Sequence, residues 1–399
     1  MTKPAVANPG LSTAAATPVL FPAFDYQPLG RVVYGAGELA RLGELVREYG
    51  GTRVLLVTDP GIEAAGHPQK ALRIMRAAGL EVFVFDSVEE NPETGHIVQG
   101  VEVAKQHGID FLVAVGGGSS MDVAKGINFL LTNGGRMTDY RGYGKATKPM
   151  LPSIGVPTTS GTGSEAQSFA LIADTSSHMK MACGDRKAAF RVALLDPELT
   201  ISQPHSVTAI TGIDALAHAV ESFVCTKRSP LSQTWSLAAW RFLEPNYERV
   251  LEAPYDLPGR SAMQIGSHLA GLAIEASMLG AAHACANPLS AHYGLTHGIA
   301  VGVLLPHVVR FNAVSVGHLY AELVECAGRS NGEPAAEVLA ARVTELMQRA
   351  GLPTALSSCG VSRSILPLLA EEANQQWTAR FNARPLTEID LQRLYEAAW

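Results

Sequence analysis

Short apolar runs alternate with amphipathic stretches over the first half of the chain. Runs at 54–57, 82–85 and 111–115 are apolar throughout, and stretches with helical spacing at 69–78 and 97–107 lie between and beside them. Runs without polar alternation are typical of parallel strands that are covered on both faces. The pattern predicts an α/β region with a parallel sheet built from βαβ units.

The pattern changes near residue 204, where the apolar residues begin to recur at helical spacing. Before this point, further candidate strands lie at 153–157, 168–172 and 192–195. After it, the clearest predicted helices lie at 206–224, 232–251, 262–286 and 335–350. We therefore predict an α/β domain over residues 21–203 and an all-α domain over residues 204–399.

Composition and charge narrow the classes of function. The 399 residues carry a formal net charge of -6 without a basic cluster, which argues against nucleic acid or an anionic membrane surface as the main partner. No uninterrupted apolar stretch reaches the roughly 18 residues of a membrane span. Residues 1–20 lack the apolar core of a signal peptide and are predicted to be a flexible tail. Five cysteines without a CxxC pair favour a reducing compartment, so we expect a cytoplasmic protein.

A glycine-rich turn follows the third apolar run. Gly116, Gly117 and Gly118 let the backbone approach an anion, and Ser119 opens a predicted helix whose first N–H groups are free. A plain tight turn uses the same residues, but the position directly after a strand favours phosphate binding. Asp59 ends the first run, where a carboxylate can bind a ribose and repel a 2′-phosphate, which favours NAD over NADP. The alternative is that Asp59 only starts a turn.

A second loop, at 157–165, also follows a predicted strand. It combines two glycines with serine and threonine hydroxyls, among them Thr158, Thr159 and Thr162. Such a loop offers side-chain and backbone donors to phosphates or a ribose. The alternative is a structural turn.

Asp214 and His218 are four residues apart in a predicted helix, so they lie one turn apart on the same face. His283 and His297 are further candidate metal ligands, because divalent ions such as Fe²⁺ and Zn²⁺ accept imidazoles together with a carboxylate. Three other histidines lie near the same segments: His268, His292 and His307. Since each histidine could instead be an ordinary core or surface residue, spacing alone does not select the ligands.

Taken in order, these motifs resemble those of group III iron-containing alcohol dehydrogenases, a family that includes lactaldehyde reductase and 1,3-propanediol dehydrogenase. The resemblance runs from about Phe24 to Trp399. It rests on the segments 116–119, 157–165, 212–219, 296–298 and 304–307.

The resemblance implies a dehydroquinate synthase-like fold, with an N-terminal dinucleotide-binding domain and a helical metal-binding and catalytic domain on either side of the active site. It assigns one divalent metal ion, Fe²⁺ with Zn²⁺ as the alternative, to Asp214, His218, His283 and His297. It assigns NAD(H) to a larger set of residues: Asp59, Asn91, Gly117, Gly118, Ser119, Thr158, Thr159, Thr162 and Lys180. It also implies a homodimer or a larger homo-oligomer.

The chain departs from the family pattern around the substrate. Asn287 replaces a histidine that is thought to relay the proton in lactaldehyde-reductase-like members. Because asparagine cannot titrate, the proton needs another route, such as His292, the cofactor ribose or water. Ile274 stands where these members carry a phenylalanine, and Glu275 beside it replaces a small polar residue. We expect a reshaped substrate pocket.

The function implied is that of a metal-dependent, NAD(H)-linked alcohol dehydrogenase or aldehyde reductase, in which the metal polarises the oxygen of a primary alcohol or aldehyde. One alternative keeps the fold and reduces a more polar or anionic carbonyl, as a maleylacetate reductase does. Another is a metal-dependent hydrolase or lyase without a dinucleotide. A non-catalytic descendant would be expected to have lost a ligand, and all four are present.

Overall fold

The computed structural model describes residues 24–175 and 180–399, so the tail predicted at 1–20 lies outside the described residues. The strands of the described chain are β1 (Arg31–Tyr34), β2 (Arg53–Val57), β3 (Glu81–Phe85), β4 (Phe111–Gly116), β5 (Gly142–Tyr143), β6 (Ser153–Pro157), β7 (Phe169–Ala173), β8 (Lys180–Gly184) and β9 (Val192–Leu195). The α-helices among them are α1 (Leu42–Glu48), α2 (Pro60–Ala64), α3 (His67–Ala77), α4 (Thr94–Gln106) and α5 (Gly118–Asn133).

Six strands form one parallel sheet in the order β1-β9-β6-β4-β2-β3. Along β2, Leu55 and Val57 belong to one buried core cluster, whereas Val54 and Leu56 belong to the cluster on the other face. A strand that is covered on both faces needs apolar residues at every position, which explains the continuous apolar runs. The predicted α/β fold with a parallel sheet is confirmed.

The carboxyl ends of three neighbouring strands collect the predicted nucleotide-binding residues. β6, β4 and β2 are adjacent in the sheet, and their ends lead into Thr158, Gly117 and Asp59 respectively. Because parallel strands end at the same edge, segments far apart in sequence meet there.

A second, three-stranded sheet has the order β5-β8-β7, with β7 and β8 antiparallel. The strand predicted at 168–172 therefore exists as β7, but it is outside the parallel sheet. Its pairing with β8 runs from Phe169 opposite Gly184 to Ala173 opposite Lys180. Local apolar pattern does not distinguish the two sheets, because it carries no information on pairing partners.

From His205 onward the chain is helical. The helices are α6 (His205–Val224), α7 (Pro230–Glu252), α8 (Leu257–Ala276), α9 (Ala281–Tyr293), α10 (His297–Cys326), α11 (Ala335–Arg349), α12 (Leu366–Asn374) and α13 (Glu388–Ala398). The single helix expected at 262–286 is wrong, because the chain bends by 102° between α8 and α9.

The bend between α8 and α9 has a local cause in a buried carboxylate. Ser277 has non-helical backbone angles (φ -140°, ψ -122°) and ends α8. Glu221 of α6 accepts the N–H groups of Gly280 at 3.2 Å and Ala282 at 2.8 Å, and so satisfies the free donors at the start of α9. The hydrophobic pattern continues across the break because both helices are buried.

By length and composition alone, α6 and α10 are apolar enough to cross a membrane, and so is the bent pair α8 and α9 when joined. In this fold the most apolar part of α6 is 83% buried within the protein, and that of α10 is 61% buried. A helix in the interior of a protein is apolar on most of its faces, so core packing accounts for this composition.

Candidate active site

Three helices bring the four candidate metal ligands together. Asp214 and His218 lie on α6, His283 lies in the first turn of α9, and His297 begins α10. Oδ1 of Asp214 is 3.4 Å from Nε2 of His218, 3.5 Å from Nε2 of His283 and 4.0 Å from Nε2 of His297. The ligand atoms of Asp214, His283 and His297 all lie within 4.8 Å of one another. The ring of His218 stacks on that of His283, with the centroids 4.8 Å apart.

The donor atoms of this cluster fit a divalent ion. Oδ1 of Asp214 and Nε2 of His283, which lie 3.5 Å apart, are both buried without a hydrogen-bond partner among the described residues. Two unsatisfied polar atoms that face each other in one buried place are costly unless something else binds them. Imidazole nitrogens with one carboxylate are the ligands that Fe²⁺ and Zn²⁺ accept, so the residues present fit such an ion.

The electrostatics of the cluster also suit a cation. Burial raises the pKa of Asp214, but His218 and the other imidazoles outweigh it and hold that pKa far below its usual range. Burial lowers the pKa of His297 to about 3, so this ring is neutral. Burial also lowers the pKa of His283, but the carboxylates of Asp214 and Glu221 raise it to about 9. An incoming metal ion therefore competes with a proton on His283.

Glu221 orients His283 and was missed at the level of sequence. It is buried on α6, seven residues after Asp214, and its carboxylate oxygen Oε2 lies 2.6 Å from Nδ1 of His283. This contact leaves Nε2 of His283 directed at Asp214. A carboxylate behind a ligating imidazole fixes the ring and its tautomer. The spacing of Asp214, His218 and Glu221 along one helical face is the signal that could have identified it.

A cleft of about 540 Å³ joins the metal ligands to the nucleotide-binding candidates. Besides all four ligands, the predicted residues that line it are Asn91, Gly117, Gly118, Ser119, Thr159, Thr162, Lys180 and Ile274. The two groups, predicted from separate motifs, thus face one continuous space.

Two backbone features shape the nucleotide end of this cleft. A Cβ on Gly118 would lie 2.7 Å from Cγ2 of Thr162, so the two loops approach closely only because position 118 has no side chain. Asn91, before Pro92, has φ 53° and is the one non-glycine residue with positive φ among the described residues. Backbone in sparsely populated conformations is concentrated at binding sites.

Five predicted site residues do not line the cleft. Asp59 accepts the N–H of Ile62 and the hydroxyl of Ser120, both at 3.0 Å. Thr158 is buried and donates its N–H to the carbonyl of Gly116. Asp59 and Thr158 therefore stand behind the glycine loop.

The other three belong to the expected substrate pocket and proton route. Glu275 accepts the N–H and the hydroxyl of Ser168, at 2.9 and 2.7 Å. Asn287 donates to Gln376 at 3.1 Å. His292 is exposed and pairs with Glu372 at 2.8 Å, because the last turn of α9 points its side chain at α12. The structure does not bring His292 to the cleft, which argues against it among the three proton routes that the sequence left open.

A buried lysine fixes the threonine-rich loop to α5, a feature that the sequence did not reveal. Lys125 donates to the carbonyl and hydroxyl oxygens of Ser164, at 2.7 and 2.8 Å, and to the carbonyl of Phe169 at 2.8 Å. The Ser164 hydroxyl donates in turn to Asp122. Burial lowers the pKa of Lys125, and the nearby Asp122 opposes that effect. The network holds the loop against the helix that begins at the glycine turn.

The same loop is attached to α8 on the helical side. Oε1 of Glu165 lies 3.0 Å from Nδ1 of His268, and both side chains are buried. Gly163 has φ 60°, and a Cβ on it would lie 2.7 Å from Cα of Gly271. Backbone contact without side chains thus connects the loop to the helical half of the protein.

Comparison with known proteins agrees with this arrangement. The family model "Iron-containing alcohol dehydrogenase" matches residues 30–197, and "Fe-containing alcohol dehydrogenase family, C-terminal" matches residues 208–399. The chain is 34% identical to 1,3-propanediol dehydrogenase from Klebsiella pneumoniae, over 94% of this chain and 99% of that protein. It is 32% identical to NAD-dependent methanol dehydrogenase from Bacillus methanolicus, over 92% of this chain and 97% of that protein.

A solved structure of 1,3-propanediol oxidoreductase superimposes with a TM-score of 0.92, at 33% identity, over 95% of this chain and all of that one. The matching family models and the shared fold therefore indicate the same kind of enzyme. The combination of a candidate divalent-metal site with a nucleotide cleft agrees with them. The chain belongs to the iron-containing alcohol dehydrogenase family and is a metal-dependent, NAD-linked alcohol dehydrogenase.

Proposed function

We propose that this enzyme interconverts a small primary alcohol and its aldehyde in the cleft described above. Asp214, His218, His283 and His297 hold the divalent metal ion, and the glycine and threonine loops hold NAD(H). The observation that carries the proposal is that one cleft is lined both by the four ligands and by the loops at the strand ends.

The bound metal ion supplies a Lewis acid for the substrate oxygen, and the nicotinamide supplies or accepts the hydride. The protein residues provide position and charge. Glu221 holds His283 in its ligating orientation, and Lys125 holds the threonine loop in place. Ile274 gives the cleft an apolar wall for the carbon chain of a substrate.

The proton route passes neither through Asn287, which cannot titrate, nor through His292, which pairs with Glu372 outside the cleft. Ordered water in the cleft or the cofactor ribose is the remaining route among those considered. Protons in the cleft can exchange with solvent, because the side chain of His297, which lines the cleft, is 26% exposed.

The test is reconstitution of the metal-free enzyme. The protein is stripped with a chelator, Fe²⁺ or Zn²⁺ is added back under anaerobic conditions, and NADH oxidation is followed with a panel of short aldehydes. The same assay is run with His283→Ala and with His292→Ala, which removes an exposed histidine from the same helix. Metal-dependent activity that is lost with His283→Ala and retained with His292→Ala supports the proposal. Activity that survives in His283→Ala contradicts the ligand assignment.

We further propose that the enzyme works in the cytoplasm as a homodimer or larger homo-oligomer. The family resemblance supports the assembly, and the five cysteines, all unpaired, support a reducing compartment. Light scattering coupled to size-exclusion chromatography measures the assembly, and a monomeric mass at assay concentration would contradict it.

A further inference from the structure

A second cavity of about 430 Å³ adjoins the cleft, and we call it the side cavity. Phe169 and Lys180 line both spaces, so the side cavity continues the cleft past the small sheet. Lys180 also lines the same cleft as the four candidate metal ligands. The two spaces therefore share a boundary at Phe169 and Lys180.

The lining of the side cavity is strongly cationic. Arg141, Lys180 and Arg380 contribute to it, and no acidic residue is among the described residues that do. Neither Arg141 nor Arg380 forms an ion pair with another described residue, in contrast to Arg342, which pairs with three glutamates. Unpaired cations around a concave space create a positive potential and attract anions.

Two acidic residues, Glu275 and Asp185, lie close to this region, but neither neutralises it. Asp185 forms an ion pair with Lys187 at 2.8 Å. Glu275 contributes to raising the pKa of Tyr143, so its charge reaches the side cavity. However, its two carboxylate oxygens accept hydrogen bonds from the backbone and hydroxyl of Ser168. Its acceptor positions face Ser168, and both arginines remain free to bind a ligand.

Aromatic rings line the side cavity beside the arginines. Phe169 lies 5.5 Å from Tyr143 and 5.5 Å from Trp377, centroid to centroid. This lining suits a short carbon chain, and the guanidinium groups suit an anionic group at its far end, because guanidinium binds carboxylates in a bidentate manner. The same arrangement repels a substrate that ends in a cation.

We propose that the enzyme prefers short aldehydes that carry an anionic end group, a carboxylate or a sulfonate, and that Arg141 and Arg380 bind this group in the side cavity. The inference rests on the proposed function and names its substrate class. The reaction is R-CHO + NADH + H⁺ → R-CH₂OH + NAD⁺, where R ends in the anion and takes no part in bond making or breaking.

The test compares four-carbon or similar aldehydes that differ in charge: butanal, 4-oxobutanoate, 3-oxopropane-1-sulfonate and the cationic betaine aldehyde. With the metal-reconstituted wild-type enzyme, kcat/KM is expected to be highest for one of the anions and lowest for betaine aldehyde. The KM of the preferred anion should rise with added salt, whereas that of butanal should not, because salt screens only the charged substrate. The ranking of the two anions decides which group the side cavity fits.

Arg141→Gln and Arg380→Gln are then measured with Arg76→Gln as the matched control, because Arg76 is an exposed arginine of α3 that forms no ion pair with another described residue. Each side-cavity variant should lower the ratio of kcat/KM for the anion to that for butanal by about 10-fold, mainly through KM, because a hydrogen bond to a charged group is lost. Arg76→Gln should leave the ratio unchanged. A wild-type enzyme that reduces butanal as well as the anions, or a ratio that neither variant alters, overturns the inference. Failure to reduce any aldehyde would instead contradict the proposed function.

Discussion

At the scale of single residues, the site depends on carboxylates that do not touch the substrate. Glu221 is buried behind His283 and accepts two backbone N–H groups at the start of α9. Asp59 caps α2 and accepts the hydroxyl of Ser120 behind the glycine turn. Both hold backbone or hydroxyl groups of the site in place.

Replacement of Glu221 by Gln should weaken metal binding. The neutral amide removes the negative charge behind His283, so Nδ1 of that ring loses its charged acceptor. Substitution of a residue that hydrogen-bonds to a metal ligand lowers metal affinity by about 10- to 100-fold. Titration of the metal-free variant with Zn²⁺ gives the dissociation constant. Glu252→Gln, at an exposed position at the end of α7, is the control. An unaltered dissociation constant in a folded Glu221→Gln protein would show that Glu221 serves the helix end alone.

Replacement of Asp59 by Ser should relax the preference for NADH. Serine still caps α2, but the negative charge that repels a 2′-phosphate is gone. The ratio of kcat/KM for NADPH to that for NADH should rise by about 10-fold. The free energy that corresponds to this change is a modest share of the repulsion energy between two close charges. If steady-state kinetics show the same ratio in both proteins, Asp59 does not face the ribose.

At the scale of elements, two junctions determine the geometry of the cleft. The bend between α8 and α9 turns His283 towards α6, and the loop after β6 contacts α8 through Gly163 and Gly271. Both junctions depend on backbone groups, so their tolerance to added side-chain atoms is low.

Replacement of Gly271 by Ala should displace this loop. Its Cβ would lie 2.5 Å from the carbonyl oxygen of Gly163, which is backbone and cannot rotate away. We expect a loss of about 1–3 kcal/mol in the free energy of unfolding and weaker binding of NADH, because the loop contains Thr162. Denaturant unfolding and NADH fluorescence titration measure the two effects.

Gly317→Ala in α10 is the matched control for this prediction. Outside its own turn of backbone, no described atom lies within 4 Å of the added Cβ. Gly317 follows Val316, where α10 is interrupted by non-helical angles (φ -135°, ψ 21°), so alanine should be close to neutral. Equal effects of the two substitutions would show that the contact between Gly163 and Gly271 is not tight.

At the scale of the whole molecule, the metal centre connects three helices that are otherwise held by packing. The proposed ligands come from α6, α9 and α10, whose residues belong to the largest buried cluster among the described residues. A ligand that binds only the folded state stabilises the entire fold by mass action.

Removal of the metal should therefore lower the thermal stability of the protein. With free metal at about 100 times the dissociation constant, the gain is about 2.7 kcal/mol, which raises Tm by several degrees. Calorimetry of the chelated and metal-loaded protein measures the shift. The His283→Ala protein should show a much smaller shift, and an equal shift in that variant would place the stabilising ion elsewhere.

The sequence by itself determined the parallel sheet, the glycine turn and the pairing of Asp214 with His218. Each depends on local rules, namely continuous apolar runs for strands covered on both faces and a spacing of four for one helical turn. The family resemblance then selected His283 and His297 from the 12 histidines of the chain.

Only the tertiary structure decided the rest. The 102° bend is absent from the apolar pattern, because α8 and α9 are both buried and the pattern records burial, not direction. For the same reason the pattern could not predict that Glu221 lies behind His283 or that His292 is exposed. Nor could it predict that Arg141 and Arg380 line one cavity. These contacts join residues far apart in the chain, and side chains brought together by packing leave no periodic signal in the sequence.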